Sequence, residues 1–287
     1  MPGLLADELP MTIRYSLAHL TVLGCPTPEM VYVAARAGYD YVSPRLIYMG
    51  LPSEPNYSLA DNPEMMRQTR RALAETGMKV HDIELARVHD DMHPTKYLPA
   101  MEVAAELGAK AVLSSIWTAD IGYATEKFAR ICELAAPFGL SVDLEYVPIS
   151  SVNTLQAATG VLRAVRQPNA GLMVDMHHFH RAHDKPQDLD ELPREWFHFA
   201  HLCDACAEIP ADRAEMTRIL REERLYVGEG GIDVASILRH LPVSVYSIEL
   251  PHLKRAREFG YAEHAFRCLE SAKNYVERHA QEIGCFA

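Results

Sequence analysis

Short apolar or β-branched runs return along this chain at intervals of roughly 25 to 45 residues, each separated from the next by a helical pattern. Eight can be read: 12–18, 40–45, 79–86, 111–116, 141–147, 171–176, 197–203 and 243–249. That interval is what a strand, a crossover helix and two loops need if successive strands are to lie parallel. Eight such units are the number that closes a barrel. The spacing therefore predicts an α/β fold, a single (β/α)8 TIM barrel over residues 1–287, with 1–11 as an N-terminal extension and 279–287 as a C-terminal tail. A chain of 287 residues with 48% hydrophobic content can fill such a core.

The intervening segments carry helix punctuation. Thr27 and Pro28 open a helix ending near Gly38, and Asn62 and Pro63 open another stopping at Gly77. Helices over 96–107 and 123–138 stop at Gly108 and Gly139, and Asn153 is placed to cap the one running towards Arg166. Two connections are longer: a His-rich loop with a short helix over 177–196, and a charged helical stretch within 204–232 before GEGGID and a helix from Asp233 to His240. Both follow late strands, on the face where barrel enzymes build their sites.

With 39 acidic and 28 basic residues the formal charge is −11, which repels phosphate backbones and anionic lipid surfaces. No nucleic-acid or membrane partner is expected. The first ten residues have no signal-peptide pattern and no run is long enough to span a bilayer, so a cytoplasmic protein is expected. Six scattered cysteines, Cys25, Cys132, Cys203, Cys206, Cys268 and Cys285, suit reduced thiols rather than a disulfide framework. The Cys203/Cys206 spacing, with no second pair, gives little reason to infer zinc or redox chemistry.

A barrel strand buried on both faces should be apolar, so an ionisable group near its end needs a reason. Four consecutive strands carry one: Glu145 in VDLEYVP, Asp175 in LMVDMHH, His201 in FHFAHLCDA and Glu249 in YSIELPH. Three carboxylates and an imidazole on neighbouring strands can converge on one divalent metal ion, Mn2+ first, with Mg2+, Co2+ or Zn2+ also compatible. The bland alternative is four separate polar groups, each paired with a loop.

Further candidates are less constrained. His178 lies three after Asp175 and reads as a proton donor or substrate contact, or as a loop histidine. Arg45 and Glu84 occupy the ends of strands two and three, as substrate contacts or as an internal salt bridge. Arg181 and Asp204 follow strands six and seven as substrate-binding candidates; Asp204 could instead orient a loop or accept the second N–H of His201. GEGG at 228–231 lacks a following Lys-Ser/Thr and reads as a tight turn, with Glu229 able to face the pocket.

The order Glu145, Asp175 with His178, His201 with Asp204, a GEG turn and Glu249 before Pro251 resembles the xylose isomerase-like TIM barrels, the sugar phosphate isomerase/epimerase and AP endonuclease family 2-like superfamily. The likeness covers about residues 12–278. It implies that Glu145, Asp175, His201 and Glu249 bind the metal and that the two glutamates also move protons. Against the ketose 3-epimerase branch, Ala207 stands where an Arg is expected and Ser151 where an acid is expected. The segment from Asp175 to Ala205 is similar to a branch with 3-dehydroshikimate dehydratases, although His201 replaces a frequent Gln. Inosose dehydratases are a third near branch.

The resemblance implies a metal-dependent isomerase or epimerase working through a stabilised enediolate of a small polyhydroxy keto substrate. Glu145 or Glu249 would be the base, with His178 and Arg45 positioning oxygens. The alternative is a hydro-lyase of the 3-dehydroshikimate or inosose type. A third is an endonuclease IV-like nuclease, in which His81 or Glu84 would join a multinuclear site; the acidic balance argues against it. A homodimer or tetramer is a family-level expectation.

Overall fold

The structure is a computed structural model and describes residues 12–50 and 54–284. The strands are β1 (Arg14–Ala18), β2 (Tyr41–Ser43), β3 (Lys79–Val80), β4 (Asp82–Val88), β5 (Ala111–Ile116), β6 (Ser141–Glu145), β7 (Ala170–Asp175), β8 (Ala200–Leu202) and β9 (Val245–Ile248). Every pairing is parallel, in the order β3-β2-β1-β9-β8-β7-β6-β5-β4.

The two ends of that order are halves of one chain run, so the sheet curls back on itself. Around the break, the His81 N–H donates to Val42 O at 2.9 Å and the Glu84 N–H to Pro44 O at 3.1 Å, while the Lys110 N–H donates to His81 O at 2.7 Å. The run thus bonds to both neighbours, and the eight expected strands form a (β/α)8 barrel. The third strand continues two residues beyond its expected end at Ala86, to Val88, with a register shift between Ile83 and Ala86.

The outer layer comprises α1 (Thr27–Ala37), α2 (Pro63–Thr76), α3 (Leu98–Glu106), α4 (Ile121–Ala135), α5 (Leu155–Val165), α6 (Met176–Arg181), α7 (Arg213–Glu222), α8 (Val234–Arg239), α9 (Leu253–Phe259), α10 (Tyr261–Arg278) and α11 (Ala280–Ile283). Asn62 caps α2 by accepting the Met65 N–H at 3.0 Å. The cap of α5 is Thr154, which accepts the Ala157 N–H at 3.2 Å, one residue after the expected Asn153. The tail expected at 279–287 contains α11, which buries Ile283. The N-terminal extension 1–11 and Cys285 lie outside the described residues. Cys25, Cys132, Cys203, Cys206 and Cys268 are free thiols. No described helix is long and apolar enough to cross a membrane.

Candidate metal centre

Residues two apart on a strand share a face. Leu113 therefore shares one with Ser115, Met173 with Asp175, and Phe199 with His201. Ala111, Leu113, Met173 and Phe199, with Leu85 and Val245 packed on them, form an apolar plug separate from the larger core under the helices. One step beyond that plug, at the C-terminal strand ends, the side chains turn polar. Glu145 ends β6, Asp175 ends β7 and pairs in register with His201 of β8, and Glu249 follows β9.

One atom from each of Glu145, Asp175, His201 and Glu249 lies within 4.8 Å of all the others, and all four residues are buried. His201 Nδ1 stands 3.5 Å from Glu145 Oε1, 3.6 Å from Asp175 Oδ2 and 3.5 Å from Glu249 Oε2. Donors held at about 2.1 Å from a shared ion in a tetrahedral shell would be about 3.4 Å apart, close to these separations. Both ring nitrogens of His201 and Glu145 Oε1 are buried with no hydrogen-bond partner. Orphaned buried polar atoms are costly, and a cation at their common centre would satisfy them. The donor set fits a divalent ion.

Burial opposes charge on His201, but Glu249 first, then Asp175 and Glu145, outweigh it and hold its pKa well above the ordinary value. For Asp175, burial raises the pKa, yet Arg224, followed by His178 and His201, holds it well below the usual range. Glu249 is likewise raised by burial, but His201 and Arg224 bring it down to about 2.

Arg224 was not singled out in the sequence. It is fully buried; Nη1 donates to Asp175 Oδ2 at 2.6 Å and to Glu249 O at 3.0 Å, and Nη2 lies 3.0 Å from Glu249 Oε2. Its Nε donates to Leu220 O at 3.0 Å, tying the centre to the end of α7. Thr21 is a second such residue. Its hydroxyl donates to Ile248 O at 2.7 Å and accepts the Leu250 N–H at 2.9 Å, clamping the backbone on both sides of Glu249.

A cavity of about 1240 Å³ opens above the centre, and Glu145, Glu249, His178 and Arg45 are in its wall. His178 Nε2 is 3.5 Å from Glu145 Oε1, and its backbone N–H donates to Asp175 Oδ1 at 2.9 Å. Arg45 pairs with Glu84, Nη2 to Oε2 at 2.9 Å, and lies 3.7 Å from Glu54. Glu84 is enclosed behind Arg45; burial pushes its carboxyl up to about 8, against the pull of Arg45.

The other two substrate-binding candidates are absent from the cavity wall. Arg181 donates to Cys206 O at 3.0 Å. Asp204 accepts the backbone N–H groups of Ala205, Gly228, Gly230 and Ile232 and so braces the GEGG turn rather than His201. Gly230 is required there, since a Cβ would stand 2.2 Å from Ala205 O. Glu229 pairs with Arg255 outside that wall. Nor do the residues suggested for a multinuclear site join the four donors: His81 pairs with Asp82 at 3.0 Å, and Glu84 with Arg45. A second group, Asp175, His177 and His178, shares Asp175 with the first.

His19 supports the site from below Arg45. Its Nδ1 accepts the Arg45 backbone N–H at 2.9 Å, which leaves Nε2 to donate to Cys25 O at 2.8 Å and specifies a neutral ring. Burial lowers its pKa to about 4. Unfolded, the ring titrates near its ordinary 6.5, so between those values the unfolded chain binds the extra proton and stability falls as pH falls. In urea titrations of the chelated protein, His19→Gln should therefore show a shallower pH slope across that window, by about 1.4 kcal/mol per unit. Parallel profiles would contradict it.

The sequence profile of the Xylose isomerase-like TIM barrel family matches residues 31–272, and the chain belongs to that family. It is 25% identical over 228 residues to inosose isomerase of Bacillus velezensis, covering 74% of this chain and 79% of that enzyme. It is 26% identical over 251 residues to 3-dehydroshikimate dehydratase of Pseudomonas aeruginosa, which covers 82% of this chain but 37% of that longer enzyme. The crystal structure of an IOLI protein with a binding zinc atom superposes with a TM-score of 0.78 at 18% identity, covering 93% and 99% of the two chains, a likeness of fold.

Proposed function

We propose that this protein is a metal-dependent isomerase or epimerase of a small polyhydroxy keto compound. The observation that carries the proposal is the convergence of three carboxylate oxygens on a partnerless His201 nitrogen at 3.5–3.6 Å, beside a large cavity. Kinship with inosose isomerase supports the substrate class. Glu145, Asp175, His201 and Glu249 would hold the ion, Mn2+ by the preference of a mostly oxygen donor set. When bound, it supplies Lewis-acid polarisation of a substrate carbonyl, so that the adjacent C–H can be deprotonated.

Glu145 and Glu249 both border the cavity and are the groups that take and return the proton. His178, against Glu145, hydrogen-bonds a substrate oxygen, and Arg45 is held rigid by Glu84 and His19 to orient the far hydroxyls. A dehydratase outcome is the second reading, favoured by the dehydratase relative and by the place of His178, which could protonate a departing β-hydroxyl.

Incubation of the Mn2+-loaded protein in D2O with keto-sugars, inososes and 3-dehydroshikimate separates the two. Deuterium in isomers of unchanged skeleton is the expected result, and loss of water with rising ultraviolet absorbance would select the lyase. Glu145→Gln should abolish turnover with the fold intact. Neither exchange nor water loss across the panel, or full activity in Glu145→Gln, would remove the proposal.

A further inference from the structure

Arg87 and Arg221 are two cations in the wall of the same cavity that have no anionic partner among the described residues. Other guanidinium groups of that wall are neutralised, Arg45 by Glu84, Arg224 by Asp175 and Glu249, and Arg218 by Glu215 and Glu223. Arg257 and Lys254, also without a carboxylate partner among the described residues, are exposed to solvent at the rim. Among the described residues, no carboxylate pairs with Arg87 or Arg221, and neither side chain donates a hydrogen bond. Glu54, whose charge also acts on Arg87, is engaged by Arg45 at 3.7 Å.

Arg87 stands at the end of the third strand, half-buried, with its Nε enclosed and unpartnered. Its guanidinium lies 4.3 Å over the ring of Trp117, which is itself fixed by donating from Nε1 to Ser115 Oγ at 2.9 Å. Stacking covers one face of the guanidinium and holds its plane, leaving the N–H fork on its edge. Arg221, in the last turn of α7, forms part of the same cavity wall. Burial lowers the Arg87 pKa, and the like charge of Arg221 is the next cause. Two unpaired guanidinium groups that repel one another across a cavity are stabilised by an anion placed between them, and their planar forks match a carboxylate or phosphate.

We propose that Arg87 and Arg221 bind an oxyanion, carboxylate or phosphate, carried by the substrate at the end remote from the metal centre. The substrate is then an acidic polyhydroxy compound. This rests on the metal-centre reading only in taking the cavity to be the substrate site.

The test is calorimetric titration of the Mn2+-loaded protein with glucose, glucuronate and glucose 6-phosphate, which share a skeleton and differ in charge. At least one anionic sugar should bind at least about 10-fold more tightly than glucose, the scale of a charge-assisted hydrogen bond, and which one identifies the oxyanion. Arg87→Gln and Arg221→Gln should each remove that advantage without changing glucose affinity or the metal content, whereas Arg218→Gln should leave it unchanged. Arg87→Lys, which keeps the charge but not the fork, should be intermediate and serves if Arg87→Gln fails to fold. Equal affinity for all three sugars, no binding of either anionic sugar, or an advantage that survives both Gln substitutions would overturn the proposal. Repeating the titration on chelated protein separates this outcome from failure of the metal reading: the arginine-dependent preference should persist there.

Discussion

Arg224→Met should destabilise the metal-free protein by about 3–5 kcal/mol, the cost of removing one partner from a buried ion pair. For a domain of this size that is a fall in melting temperature of roughly 10 °C. The effect is large because Arg224 is paired with two buried carboxylates at once, Asp175 at 2.6 Å and Glu249 at 3.0 Å. A divalent ion held there would, together with the Arg224 guanidinium, balance the three carboxylates of the centre. In the variant the ion becomes the main remaining counter-charge to them, so added Mn2+ should restore more stability than it adds to the wild type. A loss below about 1 kcal/mol in urea denaturation would show that Arg224 does not hold these carboxylates together.

His201→Ala should weaken Mn2+ binding by more than about 100-fold, since loss of a supporting partner to a ligand already costs 10–100-fold. The imidazole lies within 3.6 Å of all three carboxylates, and its removal leaves their charges facing one another. His201→Gln keeps a donor atom of similar reach and should fall between the two. Isothermal titration at fixed pH measures the difference; an unchanged affinity in His201→Ala would place the ion elsewhere.

The barrel was legible because it rests on periodicity, and each of the eight strand runs survives as a strand. The four candidate ligands were legible for a related reason: an ionisable residue at the end of an apolar strand contradicts its surroundings, and four neighbouring strands repeat the contradiction. Arg224 was hidden because nothing in LREERLYVG distinguishes it from Arg221, three residues earlier; only the path of the chain buries one and leaves the other at the cavity wall. Arg87 was missed because the apolar signal stops at Ala86, while the register shift in β4 carries the strand to Val88.

Asp204 and Arg181 show the opposite limit. Both follow strand ends and so resemble site residues, but the GEGG amides and the Cys206 carbonyl claim their polar atoms. Which way a loop side chain turns is decided by the backbone groups left unpaired around it, and those are set by tertiary contacts far apart in the sequence. Asp204 finds its amides in Gly228 to Ile232, and Thr21 reaches across the chain to the strand end at Ile248.

Anomalous diffraction from crystals grown with Mn2+ tests the metal centre most directly. One peak per chain is expected, about 2.2 Å from Glu145, Asp175, Glu249 and His201 Nδ1. No peak at that point, or the strongest peak bound by other residues, would contradict the account.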